Sequence, residues 1–427
     1  MIYKLLSYYF EIFQWQRMSV IKIQKMQLKR FKQIFEFAKE HSKFYNQFYK
    51  DAGVYNLEIK CLEDINKIPI INKRILRQYS TTDIMTQNVD NNINIHSTSG
   101  STGEPFKIAF NKFEDYTAHI RVFWALRKAG YRITDKIVMI TRYNKEDKFE
   151  IEKDLTTLNK IQKKLHLFQR EIISIYEPVD EIIKKLVNSD AKILWSTPSI
   201  VQIIANRLKE KKLTLNFPII FFTSENIIYS QKELFTEYIG KKIVNLYGSM
   251  ESPSLGFDFD LVGKFIIFPN SNLFQFGNIT IREDRVKTGN VIISNLINKT
   301  MPIIRFDLND IAEIDENPDF GFKFIKKIIG RKDDILRLSN GQEFAHHHAH
   351  EMFMDFHECE MFKFIQKRDK SVRLQLKISN NQNQSQVEKL AYQRWEKRFR
   401  EVPLIIEFVE DFKINADTGK FKNIEIE

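Results

Sequence analysis

Ser97-Thr98-Ser99-Gly100-Ser101-Thr102-Gly103-Glu104-Pro105 runs into Phe106-Lys107-Ile108-Ala109-Phe110. Seven consecutive Ser, Thr or Gly residues stand ahead of an acid and a proline, with apolar, strand-like residues behind them. Such a stretch presents backbone N–H groups that no bulky side chain blocks, and it adds hydroxyls beside them. That chemistry suits an oxyanion, phosphate above all. It is not the P-loop of NTPases, which needs a Lys directly after the last Gly, and Glu104 follows Gly103. The same composition also serves as a flexible linker. The rest of the chain decides between the two.

Outward from this stretch, helical and strand patterns alternate. Tyr116–Ala129 reads as a helix closed by Gly130. Apolar strands are predicted at Ile137–Thr141, Ile172–Tyr176, Lys192–Ser196, Phe217–Phe222 and Ile243–Tyr247. Helices are predicted at Ile151–Leu165, Val179–Asn188, Ser199–Lys211 and Gln231–Ile239. This alternation predicts an α/β fold with a largely parallel, buried sheet, whose sites lie beyond the carboxyl ends of strands. Thr223-Ser224-Glu225 and Gly248-Ser249-Met250-Glu251 each follow such an end directly. Upstream, residues 1–50 read as helical, with Leu28, Phe31, Phe35 and Ala38 at helical spacing. The buried face of a helix explains these aromatics better than a cofactor stripe. After about 255 short strands recur without helices, at Phe265–Phe268, Asn278–Arg282 and Asn290–Ser294, as in a small β subdomain. Beyond the charged Lys327–Asp334 boundary a smaller α+β unit is expected. Its strands lie near Met361–Lys367, Val372–Ile378 and Leu404–Val409, and its helices near His347–Phe356 and Gln386–Arg400.

The 427 residues exceed what one hydrophobic core holds, so two or more domains are expected. The net charge of +11 would suit nucleic acid or an anionic membrane surface. The lysines are scattered, however, with no block of five or six, so no specific nucleic-acid partner is expected. Only Cys61 and Cys359 occur, which excludes a disulfide framework and fits a reducing compartment. Apolar runs such as Pro218–Phe222 fall far short of the ~20 residues that span a bilayer. The apolar N-terminus lacks a small-residue cleavage site, so a cytoplasmic protein with at most peripheral membrane contact is expected.

Four short signatures then stand in a fixed order: the loop at 97–105, Tyr247-Gly248-Ser249-Met250-Glu251, Arg305-Phe306-Asp307-Leu308-Asn309-Asp310, and Gly330-Arg331-Lys332-Asp333-Asp334. A fifth, Asp417-Thr418-Gly419-Lys420-Phe421-Lys422, lies near the C-terminus. Together they resemble the adenylate-forming (acyl-CoA synthetase) superfamily. Within it they look most like the phenylacetate–CoA ligase branch and its CapK-type relatives in capsular polysaccharide biosynthesis. The Ile68-Pro69-Ile70-x-x-Lys73 turn and the Ala129-Gly130…Asp135 helix end add to the likeness.

The resemblance implies an α/β protein with a large multi-sheet N-terminal adenylation domain, 1–330, including a β subdomain at about 255–320. A small, mobile α+β C-terminal domain would cover 331–427. It implies that Thr98, Ser99, Gly100, Ser101, Thr102 and Gly103 hold ATP phosphates. Tyr247 would stack on adenine, with Gly248 and Ser249 beside it and Ser224 and Glu225 at the adenine-side strand end. Glu251 would ligate Mg²⁺, a hard cation that takes carboxylate and phosphate oxygen. Asp310 would accept the ribose hydroxyls, Arg331 would contact the nucleotide, and Asp333 would be the hinge. Lys420 would be the catalytic lysine. Trp195, Pro198 and Ser199 would line the acyl pocket.

The implied substrates are a small carboxylic acid and an acceptor, either coenzyme A or an amine such as an amino sugar. Read without the family pattern, Glu251 is also a plausible helix-start carboxylate. Asp310 and Arg331 could equally form a structural ion pair, and Lys420 a solvated tail residue. The chain departs from the family pattern at Met250, where a hydroxyl is usual and Ser249 or Ser252 would substitute. Glu104 stands where Lys is frequent, and Asn309 replaces the Gly before Asp310. These departures keep two other classes open: a non-catalytic binding relative, and a basic nucleic-acid or membrane-surface protein. His346 and His350, at i, i+4 beside His347 and His348, could share a helix face around a metal, but surface or interface packing explains them more simply.

Overall fold

The computed structural model describes residues 1–87, 92–97, 106–142, 167–225, 227, 231–281, 285–314, 320–344, 346–353, 359–378, 382–412 and 421–427. They form a mixed α/β protein with several sheets, as the alternation predicts. Contacts divide the chain into two compact units. One comprises Met1–Lys128, Leu246–Asp258 and Val262–Ile328; the other comprises Ala129–Asn245, Phe259–Leu261 and Ile329–Glu427.

The first unit starts with the predicted helical segment, cut into Ile2–Arg17, Val20–His41 and Lys43–Asp51. The cuts fall at Ser19 and Ser42, whose hydroxyls accept from Lys22 N and Tyr45 N and so cap the helices that follow. Phe31, Phe35, Phe44, Tyr45 and Tyr49 turn inward and build the core with Ile303, Ile304 and Phe306. The strands Ile93–Ser97 and Lys107–Asn111 pair antiparallel, with Ser97 opposite Lys107. The β subdomain is an antiparallel meander of Asn272–Ile281, Lys287–Asn295 and Phe306–Glu313.

In the second unit the strands run parallel in the order Arg170–Ser174, Ile137–Thr141, Ile193–Ser196, Phe217–Phe222, Gly240–Tyr247. Helices Val179–Val187, Pro198–Lys211 and Lys232–Tyr238 connect and cover them. The apolar Phe217–Phe222 run is buried at all positions but Pro218, as a central strand of a parallel sheet requires. Downstream, Cys359–Gln366 and Val372–Ile378 pair antiparallel, flanked in parallel by Ile424–Ile426 and Leu404–Phe408. The helix Gln384–Phe399 packs Trp395 into their core. The predicted helix Ile151–Leu165 lies outside the described residues.

Candidate functional site

Tyr247 ends its strand, and residues 248–255 turn tightly after it. Ser252 N donates to Ser249 Oγ at 3.2 Å, and the backbones of Ser249 and Ser252 also pair. Gly248 has to be a glycine, because a Cβ there would sit 2.9 Å from Ser254 N. Buried Arg121 clasps the turn, donating to Ser254 O at 3.0 Å and Pro253 O at 2.6 Å. The Ser252 hydroxyl donates to Asn272 Oδ1 at 2.6 Å and accepts from Asn295 Nδ2 at 3.3 Å. Of the two serines that could stand in beside Met250, Ser252 is therefore committed to the interior. No helix forms over 248–255, so Glu251 is not a helix-start carboxylate.

Glu251 is 1% exposed, and Lys73 Nζ lies 3.0 Å from its Oε1. The contact is an ion pair rather than an aligned hydrogen bond. The predicted Ile68-Pro69-Ile70 turn delivers the lysine. Ile71 bridges Phe306, with Ile71 N donating to Arg305 O and Asp307 N to Ile71 O. Arg305 donates to the carbonyls of Ile65, Asn66 and Ile68. The Asn72 side chain then caps the short helix Lys73–Leu76. This partnership is the feature that sequence reasoning missed: Lys73 was part of a recognised turn without a role. The need for a partner cation follows only from the burial of Glu251, which the sequence does not show.

The Tyr247 hydroxyl donates to Asp310 Oδ2 at 2.9 Å, with both residues buried. The Tyr247 ring meets Phe265 edge-on. Asp310 lies in a bulge, since Asn290 faces Ile311 while Ile292 faces Asp307. Asn309 sits in this bulge at φ +65°, and its N–H donates to Asp307 Oδ1 at 2.8 Å. Left-handed φ explains why Gly is usual there and why Asn serves instead.

In the second unit, the Glu225 carboxylate caps the helix Pro198–Lys211. It accepts from Ser199 N at 3.1 Å and from Ser199 Oγ at 3.0 Å. Thr197, the formal N-cap, makes no side-chain cap bond, so Glu225 supplies the missing acceptor at the positive end of the helix. Glu225 Oε1 also accepts from Phe421 N at 3.1 Å. Ser224 holds φ +74° at the strand end. Trp195 packs on Phe221 with centroids 4.2 Å apart, beside the start of the Pro198–Lys211 helix. Arg331 ends the strand Ile328–Arg331 and is exposed, as is Asp333 in the helical turn that follows. Lys422 pairs with Asp334 at 3.2 Å.

The structure thus brings together Tyr247 with Asp310, Glu251 with Lys73, and Ser199 with Glu225 and the backbone beside Lys420. Thr98 to Gly103, Glu104 and Lys420 itself lie outside the described residues, as do the side chains of His346, His347 and His350. His348 is buried between Phe344 and Phe399. Among the described residues no group of three His, Cys, Asp or Glu gathers for a metal. Glu251 nevertheless fits a divalent cation held by one carboxylate and substrate phosphates, the manner in which Mg²⁺ usually binds. It is buried, and Oε1 has no aligned donor among the described residues.

No protein-family model matches the chain. The chain is similar to phenylacetate-coenzyme A ligase of Pseudomonas putida, 20% identical over 334 residues, which are 74% of this chain and 72% of that protein. It is similar to Protein CapK of Staphylococcus aureus, 23% identical over 337 residues, 73% of this chain and 69% of that protein. Its fold matches 2-hydroxyisobutyryl-CoA ligase in complex with 2-HIB-AMP with a TM-score of 0.72 at 17% identity, covering 94% of this chain and 89% of that one. The anthranilate CoA ligase AuaEII with anthranoyl-AMP matches at 0.52 and 13% identity, over 76% of this chain and 65% of that one. The homologues and the structural neighbours support the likeness to the adenylate-forming superfamily. Within it, the relatives named phenylacetate-coenzyme A ligase and CapK support the phenylacetate–CoA ligase-like branch.

Proposed function

We propose that the protein is an ATP-dependent, AMP-forming carboxylate ligase. The observation that carries the reading is the hydrogen bond from Tyr247, the last residue of its strand, to Asp310, with the buried Glu251 four residues after Tyr247. In the first step a substrate carboxylate oxygen attacks the α-phosphorus of ATP. The bond to the bridging oxygen breaks, and acyl-adenylate and pyrophosphate form. The Tyr247 face supports adenine, and Asp310 accepts the ribose hydroxyls. Residues 98–103 hold the phosphates through backbone N–H groups, and Arg331 adds a nucleotide contact. Mg²⁺, held by Glu251, would neutralise phosphate charge. Lys420 places its positive charge where negative charge gathers between nucleophile and phosphate.

In the second step residues 331–427 act as a small domain that turns about Asp333. A thiol or amine attacks the acyl carbon, AMP leaves, and the acceptor proton passes to solvent. The CoA ligases among the relatives favour coenzyme A as the acceptor. An amine, such as that of an amino sugar in surface polysaccharide assembly, is the alternative acceptor. Trp195, Pro198 and Ser199 would border the acyl group. ATP–pyrophosphate exchange over a panel of carboxylic acids tests the reading, with Lys420→Ala and Glu251→Ala as controls. Exchange that both substitutions lower sharply is expected; no exchange with any acid, together with no ATP binding, would overturn it. Thioester formation with coenzyme A then distinguishes the two acceptors.

A further inference from the structure

The N-terminal helix Ile2–Arg17 carries two apolar faces. Tyr8, Ile12 and Trp15 dock one of them on the first unit. The Tyr8 hydroxyl meets Ser271 Oγ at 2.5 Å and Arg121 Nη1 at 2.6 Å, and Trp15 packs edge-on against Phe268. The other face stays open. Ile2, Tyr3, Leu6, Phe10 and Phe13 fall within about 100° of one another around the helix. Their exposures are 69%, 89%, 49%, 62% and 44%. Among the described residues nothing buries this stripe, and only Tyr9 of the same helix meets the Phe10 and Phe13 rings.

The charge of this segment is one-sided. Residues 1–33 hold seven Lys or Arg and a single acid, Glu11. Arg30 takes that acid at 2.6 Å, which also ties the second helix to the first. Lys4, Arg17, Lys22, Lys25, Lys29 and Lys32 remain, all exposed. None of the six has a carboxylate partner among the described residues. Lys22, Lys25, Lys29 and Lys32 recur at i, i+3, i+7 and i+10, one outward stripe of Val20–His41, and exposed Ile21 borders it.

We propose that these two helices seat the protein on an anionic phospholipid bilayer. An open arc of Phe, Tyr, Leu and Ile beside uncompensated lysines is the makeup of an interfacial amphipathic helix. The rings enter the acyl boundary while the cations meet lipid phosphate. A second copy of the chain is the other occupant for an apolar face. A two-fold interface, however, would set these cations against their own copies, and the single acid of residues 1–33, Glu11, is already held by Arg30.

Vesicle sedimentation with the full chain tests the proposal. Vesicles of phosphatidylcholine mixed with phosphatidylglycerol should carry the protein down at low salt and release it at high salt, and phosphatidylcholine alone should leave it in solution. Phe10→Ser with Phe13→Ser should weaken partitioning about tenfold without changing the melting temperature, since both rings are exposed. Lys22→Gln with Lys25→Gln and Lys29→Gln should weaken it by a similar factor through charge alone. Equal partitioning of wild type into both vesicle types overturns the proposal, and so does binding indifferent to both sets of substitutions. A lipid-free dimer that Phe10→Ser dissolves assigns the face to self-association and overturns it too.

Discussion

Glu225 Oε1 accepts the backbone N–H of Phe421 at 3.1 Å while the same carboxylate caps the helix that begins at Pro198. The residue preceding Phe421 is Lys420. One carboxylate therefore anchors both a fixed helix start and the backbone next to the proposed catalytic cation. On the ligase reading, Glu225 is a positioning residue for Lys420. Glu225→Gln keeps the size but weakens both bonds, each worth about 1–3 kcal/mol to a charged acceptor. The adenylation kcat should fall roughly tenfold or more with little change in the KM for ATP. In a Lys420→Ala background the same substitution should cost far less. Pyrophosphate-exchange kinetics on the four proteins check this, and full additivity would remove Glu225 from that role.

The Tyr247–Asp310 hydrogen bond separates two contributions to nucleotide binding. Tyr247→Phe keeps the ring face and loses only the hydroxyl donor. Asp310→Ala loses the acceptor and leaves the Tyr247 hydroxyl buried near it. A carboxylate has about four acceptor sites, so it can accept from Tyr247 and from a ribose hydroxyl together. Tyr247→Phe should weaken ATP binding by a few-fold, on the order of 1 kcal/mol, and Asp310→Ala by clearly more. A double-mutant cycle by calorimetry should return a coupling of about 0.5–1.5 kcal/mol.

Much of the fold was legible in the sequence because a buried parallel strand is a short apolar run between helical patterns. Ile137–Thr141, Phe217–Phe222 and Val372–Ile378 were predicted with the bounds observed. The strand Asn272–Ile281 was read six residues short, because it starts among buried polar groups. Asn270, Asn272 and Gln275 are interior, and apolar alternation does not mark them. The tertiary partnerships were not legible either. Lys73 meeting Glu251, and Glu225 meeting Phe421 196 residues away, leave no local pattern. They depend on where the Ile71–Phe306 bridge and the last strand bring the backbone.

Lys73 is the cation nearest to a carboxylate that is 1% exposed. Removing the lysine leaves that charge buried and uncompensated. Lys73→Ala should lower stability by roughly 1–3 kcal/mol, less than a fully buried pair would lose because Lys73 is itself partly exposed. Magnesium with ATP should restore more melting temperature to Lys73→Ala than to wild type, since it answers the same charge. Glu251→Gln should remove that extra response. Thermal melts with and without Mg·ATP decide it, and equal shifts in all three proteins would separate Glu251 from the cation.

Glu114 gives a pH signature unconnected with catalysis. It is buried and accepts from Asn111 N, Lys299 N and Thr300 N at 2.8, 2.8 and 3.1 Å. Burial pushes its carboxyl above the usual range, and hydrogen bonds, from Thr300 first, only partly oppose this. The native state therefore holds the proton more tightly than the unfolded chain. Stability gained through this group is complete below the ordinary glutamate pKa and is lost as pH rises through the raised native value. The stability difference between wild type and Glu114→Gln, followed by urea unfolding from pH 4 upward, should shift against wild type with rising pH and then level off. A difference that is flat or moves the other way would contradict the burial-dominated environment.

Asn309 occupies a bulge at φ +65° immediately before Asp310. Its own N–H is held by Asp307, so the left-handed turn aims the next residue as well as itself. A side chain without a local hydrogen bond costs roughly 1–2 kcal/mol in that region, Asn less, and Gly almost nothing. Asn309→Ala should therefore destabilise by about 1 kcal/mol, whereas Asn309→Gly should be near neutral in stability. Because the bulge sets the direction of Asp310, Asn309→Ala should also weaken ATP binding, and Asn309→Gly should retain it. Chemical denaturation and nucleotide titration on the two variants separate the backbone effect from the side chain. If Gly loses ATP binding while keeping stability, the amide of Asn309 acts on the nucleotide directly rather than through the turn.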